Sequence, residues 1–325
     1  MKIQTPVSVI MPVYNSESTL LEALESLRKQ EYPIKEVIIL DNCSTDASIA
    51  MAEGYKKKKK KWELVLVKRD KKNSVASSLN IGANMAKSPY IVLMHSDSVL
   101  PTSKELTNLV EPFLDDPNVI ATYSSVLHPE YVWLQYNFWE KCLFARVVDT
   151  EIPALLGKFD CIRKDIFIKL GGYDEKNFVE GADASDANMH FRLKKEGRVV
   201  PTSAKVVHLH YMKGDFTLKD WIDRRKLLAR AYGRLLRTNW KNLMSQGLIF
   251  LVKPVIAVLV FIPYFHFLGI LGVLLTGFFS TKKMFLSQST LLDPRIILLP
   301  FINVFLVYYE SYWMIRSFLM RKKRV

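Results

Sequence analysis

One carboxylate in this 325-residue chain stands where layered α/β proteins do their chemistry. Asp97 lies in YIVLMHSDSVLP (Tyr90 to Pro101), just after the apolar run Ile91, Val92, Leu93 and Met94. Too short for a helix and bounded by Pro89 and Pro101, that run predicts a strand buried on both faces. Open α/β sheets bind ligands outside the carboxyl ends of such strands, so Asp97 is a candidate for holding a cation or a polar substrate. Its other reading is an Asx turn that closes the strand. His208 and His210 follow a predicted strand at Ala204 to Val207. Each is either a structural histidine or a partner for Asp97 in holding a cation.

The elements that must position these groups alternate. Pro6 to Tyr14 predicts a strand through Val7, Val9, Ile10 and Met11. A helix then starts at a Ser16 or Ser18 cap, carries Leu20, Leu21, Leu24 and Leu27 on one face, and ends by Tyr32 and Pro33. Glu36 to Leu40 is a second buried strand, Trp62 to Val67 a third, and Asn80 to Ala86 predicts a helix feeding the strand at Tyr90. Strand, helix, strand implies parallel βαβ units. At least four strands then bring three polar loops to one edge: Pro12 to Ser16, Asp41 to Asp46, and His95 to Ser98. Glu105 to Leu114 (helix) and Val119 to Ser124 (strand) extend the pattern. The aromatic stretch Tyr131 to Phe144 offers Trp133, Tyr136, Trp139 and Leu143 as a face for an acceptor, for lipid, or for core packing.

The net charge of +14 is concentrated. The six lysines Lys56 to Lys61, the stretch Phe216 to Ser245 with eight basic against two acidic residues, and the four basic residues Arg321 to Arg324 together exceed it. The rest of the chain is close to neutral, which argues against a nucleic-acid surface on the main body and for anionic lipid at the C-terminal half. The run Lys56 to Lys61 reads either as a solvated helix end or as an anion-binding patch. Three cysteines without metal-type spacing, Cys43, Cys142 and Cys161, imply a reducing compartment. Lys2 leads straight into VSVIMPVY, too short for the apolar region of a signal peptide, so the polar body is expected on the cytoplasmic side.

Taken in order, four motifs resemble those of the family 2 glycosyltransferases, which have the GT-A nucleotide-sugar-binding fold. They are VSVIMPVYN (Val7 to Asn15), EVIILDNCSTD (Glu36 to Asp46), LMHSDS (Leu93 to Ser98), and LGGYDEKNF with SDANMHFRLKKEG (Leu170 to Gly197). The likeness covers about residues 5 to 210. It implies a Rossmann-like, mostly parallel sheet flanked by helices, and a donor site for a UDP- or GDP-sugar. By resemblance Asp41 accepts from a ring N–H of the base, where it otherwise caps its own turn; Pro12, Val13 and Asn15 line the other side. Asn80, His95 and Ser96 belong to the same nucleotide-sugar site. Asp97 matches the metal-binding second aspartate of the family's DxD motif, and His95 stands where the first is expected. A neutral imidazole there can hydrogen-bond a ribose hydroxyl. His208 matches the histidine that completes the site for Mg²⁺ or Mn²⁺. The family's Glu-Asp pair falls on Ser185 and Asp186, which makes Asp186 the implied general base with Asp183 in reserve; a helix N-cap is the other reading.

The C-terminal part reads differently. Residues 216–245 predict one basic amphipathic helix suited to an anionic interface, and 246–325 a membrane anchor. Two spans, 254–279 and 296–320, return the basic tail to the cytoplasm and leave Lys282, Lys283 and Arg295 outside. These expectations amount to a multi-pass, membrane-anchored inverting glycosyltransferase with a cytoplasmic catalytic domain and a lipid-linked glycan acceptor. Alternatives are a polyprenyl-phosphate glycosyltransferase, and a non-catalytic subunit that binds nucleotide-sugar or lipid.

Overall fold

A computed structural model of the protein describes residues 5–58, 60–178, 184–209, 215–243 and 248–320. The chain divides into two compact units, one built mainly from Met1–His128, Thr150–Gly181 and Ser185–Tyr211, the other mainly from Pro129–Asp149 and Met212–Val325. The aromatic stretch 131–144 thus belongs with the C-terminal helices.

The first unit is a sheet of nine strands: β1 (Val7–Val13), β2 (Ile34–Asp41), β3 (Glu63–Lys68), β4 (Tyr90–Met94), β5 (Ser98–Val99), β6 (Val119–Leu127), β7 (Glu151–Pro153), β8 (Phe159–Arg163) and β9 (Arg198–His208). Their order is β3-β2-β1-β4-β8-β6-β9-β5, with β7 pairing off this path to β6. The first four strands are mutually parallel, as the βαβ pattern requires. Beyond them the expected mostly parallel sheet gives way to a mixed one. β8 runs antiparallel between β4 and β6, and β5 and β7 are antiparallel to β9 and β6. No periodicity in the sequence announced β8, because its residues alternate with a buried carboxylate, Asp160, and a buried thiol, Cys161.

β1 and β4 are buried on both faces through Val7, Val9, Ile10, Met11, Ile91, Val92, Leu93 and Met94. The helix Leu20–Arg28 packs Leu20, Leu24 and Leu27 on one side of the sheet. The helix Val75–Met85 packs Leu79 and Ala83 on the other. The latter starts five residues earlier than expected, because the Ser74 side chain accepts from the Ser77 N–H (3.2 Å) and caps it. Lys60 explains much of the lysine run: its ammonium donates to the carbonyls of Tyr55, Lys56 and Lys58 (3.3, 2.7 and 3.1 Å) at a helix C-terminus.

Chain order places a switch point between β1 and β4. The chain winds from β1 through β2 to β3 at one edge, then returns to lay β4 on the far side of β1. β1 pairs with β2 as far as Val13 with Asp41, but its pairing with β4 stops at Ile10 with Leu93. Pro12 has no N–H to offer, so the two central strands part there and a cleft opens.

The second unit is helical. Its main helices are Leu218–Leu243, with a non-helical residue at Asn239, then Leu248–Leu259, His266–Ser280 and Leu299–Leu319. The expected span 254–279 is therefore not one helix. It breaks at 260–265, where Pro263 cannot continue the ladder and Tyr264 takes a φ of 70°. Among the described residues one helical stretch, Pro294–Leu319, is long and apolar enough to cross a membrane. In the aromatic stretch the core alternative holds for Trp133 and Tyr136, which are buried, and Trp139 stacks on Trp221 (6.1 Å) within this unit.

Gly82 lets the helix Val75–Met85 lie directly on β1 and β2. A Cβ there would meet Ile10 Cγ2 at 2.4 Å and Leu40 Cδ1 at 2.9 Å. Gly82→Val is expected to destabilise the sheet unit by about 1–3 kcal/mol through overpacking, read as a lower urea midpoint with an unchanged m-value.

Candidate active site at the strand switch point

The cleft between β1 and β4 has a volume of about 170 Å³. Pro12, Val13, Tyr14 and Ser16 wall one side, His95, Ser96 and Asp97 the other, with Asn42, Val75 and Ser78 between. Of the residues expected here, Pro12, Val13, His95, Ser96 and Asp97 line it.

Loop geometry is set by short polar contacts. Asn15 takes a φ of 48°, its N–H donates to Ser44 Oγ (3.0 Å), and its Oδ1 accepts from the Thr45 N–H (2.8 Å). Ser16 and Ser96 hydroxyls meet at 2.8 Å across the cleft floor. Asp41 is buried and accepts from the N–H groups of Cys43 (3.1 Å) and Ser44 (3.2 Å), which holds Cys43 at a φ of 65°. Its carboxylate is thus turned into its own loop. Asn42, not singled out from sequence, exchanges two hydrogen bonds with the Asn73 backbone (2.6 and 2.8 Å) and presents itself to the cleft.

Asn80 stands apart. Its Oδ1 accepts from the Tyr173 N–H (2.7 Å), and its Nδ2 donates to the Tyr173 carbonyl (3.0 Å) and to Glu175 (2.7 Å). It does not line the cleft but clamps the turn at Gly171 and Gly172. A Cβ on Gly172 would sit 2.2 Å from Asn80 Oδ1, so the clamp and the glycine require each other.

Asp97 meets His208 by register. Ser98 in β5 pairs with His208 at the end of β9, and the Leu209 N–H donates to the Asp97 carbonyl (2.9 Å). His208 Nε2 then lies 3.2 Å from Asp97 Oδ2, and His95 Nδ1 lies 3.9 Å from Asp97 Oδ1. A third imidazole, His128 at the end of β6, stands edge-on to His208 with ring centres 5.2 Å apart. Burial above all, then the neighbouring His208 and Lys158, push His128 down to about 3, so it is neutral at ordinary pH. Sequence reasoning missed it, since a lone histidine after a strand carries no signal.

Asp186 sits in the helix Ala184–Leu193 and accepts from the Tyr173 hydroxyl (2.9 Å). Gly157, at a φ of 67°, separates it from the DxD-like loop. A Cβ on Gly157 would come within 3.3 Å of Asp186 Oδ1 and 3.6 Å of His95 Nε2. Asp186 and His95 therefore both flank Gly157, whose left-handed backbone, more than crowding, calls for glycine. Asp183 and His210 lie outside the described residues.

Asp97 with His208 supplies one carboxylate oxygen and one imidazole nitrogen for a divalent cation. Among the described residues no group of three or more His, Cys, Asp or Glu side chains could hold a metal by itself. The donor set fits a cation whose remaining positions are filled by phosphate oxygens and water, as Mg²⁺ accepts with a nucleotide.

The profile of the glycosyl transferase family 2 domain matches residues 8–171, half of the chain. This chain belongs to the glycosyl transferase family 2. An uncharacterized glycosyltransferase of Haemophilus influenzae is 25% identical to it over 173 residues, 51% of this chain and 55% of that protein. The Staphylococcus aureus poly(ribitol-phosphate) β-N-acetylglucosaminyltransferase TarS is 32% identical over 113 residues, 34% of this chain and 19% of TarS. The chain thus spans about half or less of the length of these relatives. Among solved structures, the mannosyltransferase PcManGT of Pyrobaculum calidifontis, in complex with GDP-Man and Mn²⁺, superposes with a TM-score of 0.58 at 18% identity, covering 98% of this chain and 86% of that one. GalNAc-T7 with UDP, GalNAc and Mn²⁺ gives 0.55 at 16% identity, over 79% of this chain and 52% of that one. These likenesses establish a GT-A-like fold.

A buried acid adjoins the site. Asp160 Oδ2 accepts from the N–H groups of Leu156 (3.0 Å) and Gly157 (2.5 Å), which shapes the turn that separates Asp186 from His95. Burial, and then the charge of Asp186, hold its carboxyl well above the usual carboxylate range. The folded state thus keeps a proton that the unfolded state has released, and stability falls as pH rises from the unfolded pKa toward the folded one. Asn keeps the acceptor oxygen without titrating. Urea midpoints measured from pH 4 to 8 are expected to decline less with rising pH in Asp160→Asn than in the parent protein.

Proposed function

We propose that the protein is an inverting glycosyltransferase. It would move a sugar from a UDP- or GDP-sugar, with Mg²⁺ or Mn²⁺, to a hydroxyl of a membrane-associated, lipid-linked glycan on the cytoplasmic side. The reading is carried by Asp186 and His95 both flanking Gly157, with His95 two residues before Asp97 of the Asp97–His208 pair. Inversion needs a base and a leaving-group site on opposite sides of one sugar carbon.

In this mechanism Pro12, Val13 and Tyr14 form the wall against which the base lies, with Asn15 and Asp41 setting the loops beside it. Asp97 and His208 would hold the cation, which supplies Lewis-acid neutralisation of the departing diphosphate. Asp186 takes the proton of the acceptor hydroxyl as its oxygen attacks the anomeric carbon and the diphosphate leaves with the bonding electrons. The Tyr173 hydroxyl orients Asp186 by donating to it, and it stays protonated: burial, then the charges of Asp186 and Asp160, raise its pKa well above the ordinary value. PcManGT and GalNAc-T7, both solved with Mn²⁺, support the cation, and GDP-Man and UDP in those sites support the donor class. The apolar C-terminal helices support an acceptor met at a membrane.

Two substitutions test these roles. Asp97→Asn is expected to abolish metal-dependent release of nucleoside diphosphate from a nucleotide-sugar; an unchanged rate would remove Asp97 from the cation site. Asp186→Asn is expected to lower kcat for transfer to a hydroxyl acceptor about 10²–10⁴-fold while calorimetry shows donor binding retained. Full transfer in that variant would end its assignment as base, and donor binding with no transfer by the parent protein would favour a non-catalytic binding subunit.

A further inference from the structure

We propose that the C-terminal helical unit is monotopic: the hairpin Leu248–Ser280 enters one leaflet of an anionic bilayer and comes back out, and no segment of the unit crosses. The inference rests on the reading of the protein as membrane-associated and replaces the two spans expected from hydropathy.

Length speaks first. The hairpin's arms, Leu248–Leu259 and His266–Ser280, have 12 and 15 residues. At about 1.5 Å per residue the second arm, bounded at both ends by Phe265 and Thr281, reaches about 22 Å, short of the roughly 30 Å hydrocarbon core but ample for one leaflet. The arms pack on each other: a Cβ on Gly269 would strike the Val260 backbone nitrogen at 2.4 Å, and one on Gly272 would meet Ile256 Cγ2 at 2.9 Å. The tip between them is apolar and bare, with Phe261 76%, Tyr264 95% and Phe267 76% exposed. Such a tip is costly in water.

The long helix Leu299–Leu319 does not cross either, because of its neighbour. The helix Leu218–Leu243 lies alongside its second half. Arg225 pairs with Glu310, the Lys226 ammonium sits 4.4 Å over the Trp313 ring, and Arg237 donates to the Ser317 carbonyl (3.4 Å). A Cβ on Gly233 would lie 2.2 Å from the Met314 carbonyl oxygen, so the two backbones touch. The flanking helix carries eight basic residues, each costing about 2.5–3.5 kcal/mol at a bilayer centre. A helix bound along such a partner stays at the interface with it.

The connection between the two expected spans gives the third observation. With two crossings, Lys283 and Arg295 would face the far side of the bilayer. Instead Lys283 pairs with Asp149 (2.8 Å) and Glu130 (2.9 Å), and the Arg295 guanidinium lies 4.6 Å over the Phe138 ring. Residues 130–149 are joined within three residues to β6, which ends at Leu127, and within two to β7, which starts at Glu151. The connection is therefore on the side of the membrane where the sheet's own strands lie. A leaflet, not a second copy of the chain, fits the apolar tip because the same unit exposes Lys219, Arg224, Lys282 and Arg316, which suit anionic headgroups and would repel their own copies.

The test uses the full chain carrying Cys43→Ser and Ser289→Cys, Ser289 being exposed in the connection and the two other thiols, Cys142 and Cys161, buried. In inverted vesicles from expressing cells, a membrane-impermeant maleimide is expected to label Ser289→Cys, and in intact cells it is expected not to. The parent Cys43 serves as the marker for the sheet's side. Labelling of Ser289→Cys only from the side opposite Cys43 would overturn the monotopic arrangement and leave membrane association standing. In parallel, Phe261→Asp with Tyr264→Asp is expected to weaken binding to phosphatidylglycerol vesicles at least tenfold, with nucleotide-sugar binding by calorimetry unchanged as the control for folding. Equal vesicle binding by this variant would remove the tip from the interface. A parent chain that binds no vesicles and forms dimers through the tip would overturn both this inference and the membrane reading beneath it.

Discussion

Two residues of β5 hold the candidate site together. Ser98 and Val99 pair with Val207 and His208, and this short antiparallel contact joins positions 111 residues apart, bringing an imidazole to a carboxylate. Because the pairing lies at the end of β9, its register decides which side chain faces Asp97, and a slip of one residue would turn His208 away. The tether from the Leu209 N–H to the Asp97 carbonyl keeps the loop from following its own turn preference. The Asx-turn reading of Asp97 and the ligand reading differ in just this contact.

The switch point supplies the space into which that pair looks. β1 and β4 separate because β1 holds a proline where pairing with β4 would continue, and Asn15 and Cys43 take left-handed backbone angles to fold the flanking loops back. Each of these features costs conformational energy, and side-chain hydrogen bonds from Asn15, Asp41 and Asn42 offset it. On the opposite wall two glycines do similar work. Gly172 accommodates the Asn80 clamp, and Gly157, at a positive φ, makes the turn beside Asp186 and His95. Asp160 ties the latter turn down from within the core, at the expense of burying a carboxyl that resists ionisation.

The helical unit answers to a different constraint. Glu310 is buried, and two cations from two other helices, Arg225 and Lys253, converge on it. A buried ionic cluster of this kind contributes little net stability but ties three helices to one register, since each partner left alone would be an uncompensated charge. Asn303 donating to Thr281 Oγ1 (2.7 Å) adds a third tie at the hairpin's base. The exposed aliphatic and aromatic residues lie outside these ties, so polar packing and apolar exposure divide the unit between them.

Much of the sheet was legible in the chain. Continuous β-branched runs bounded by proline or polar clusters located β1, β2 and β4, since a strand buried on both faces has to be apolar throughout. Periodicity located the helix at Leu20, and the motifs located the loops that line the cleft. Other features were beyond local reading. β8 carries an acid and a thiol in its core positions, so no pattern marks it; His128 depends on where β6 ends; Asn80 looks like a donor-site residue until the turn it clamps is seen. The hydropathy of residues 254–279 pointed to one span, while Pro263 and the packing of the two arms made it a hairpin. Composition and order along the chain determine which segments are strands, which loops gather at one edge and which end of the chain is apolar, because burial and periodicity are local properties. Register, the meeting of Asp97 with His208, the placing of Asp186 and His95 beside Gly157, and the partners of Lys283 were decided by tertiary structure alone, because each depends on contacts between residues far apart in the chain.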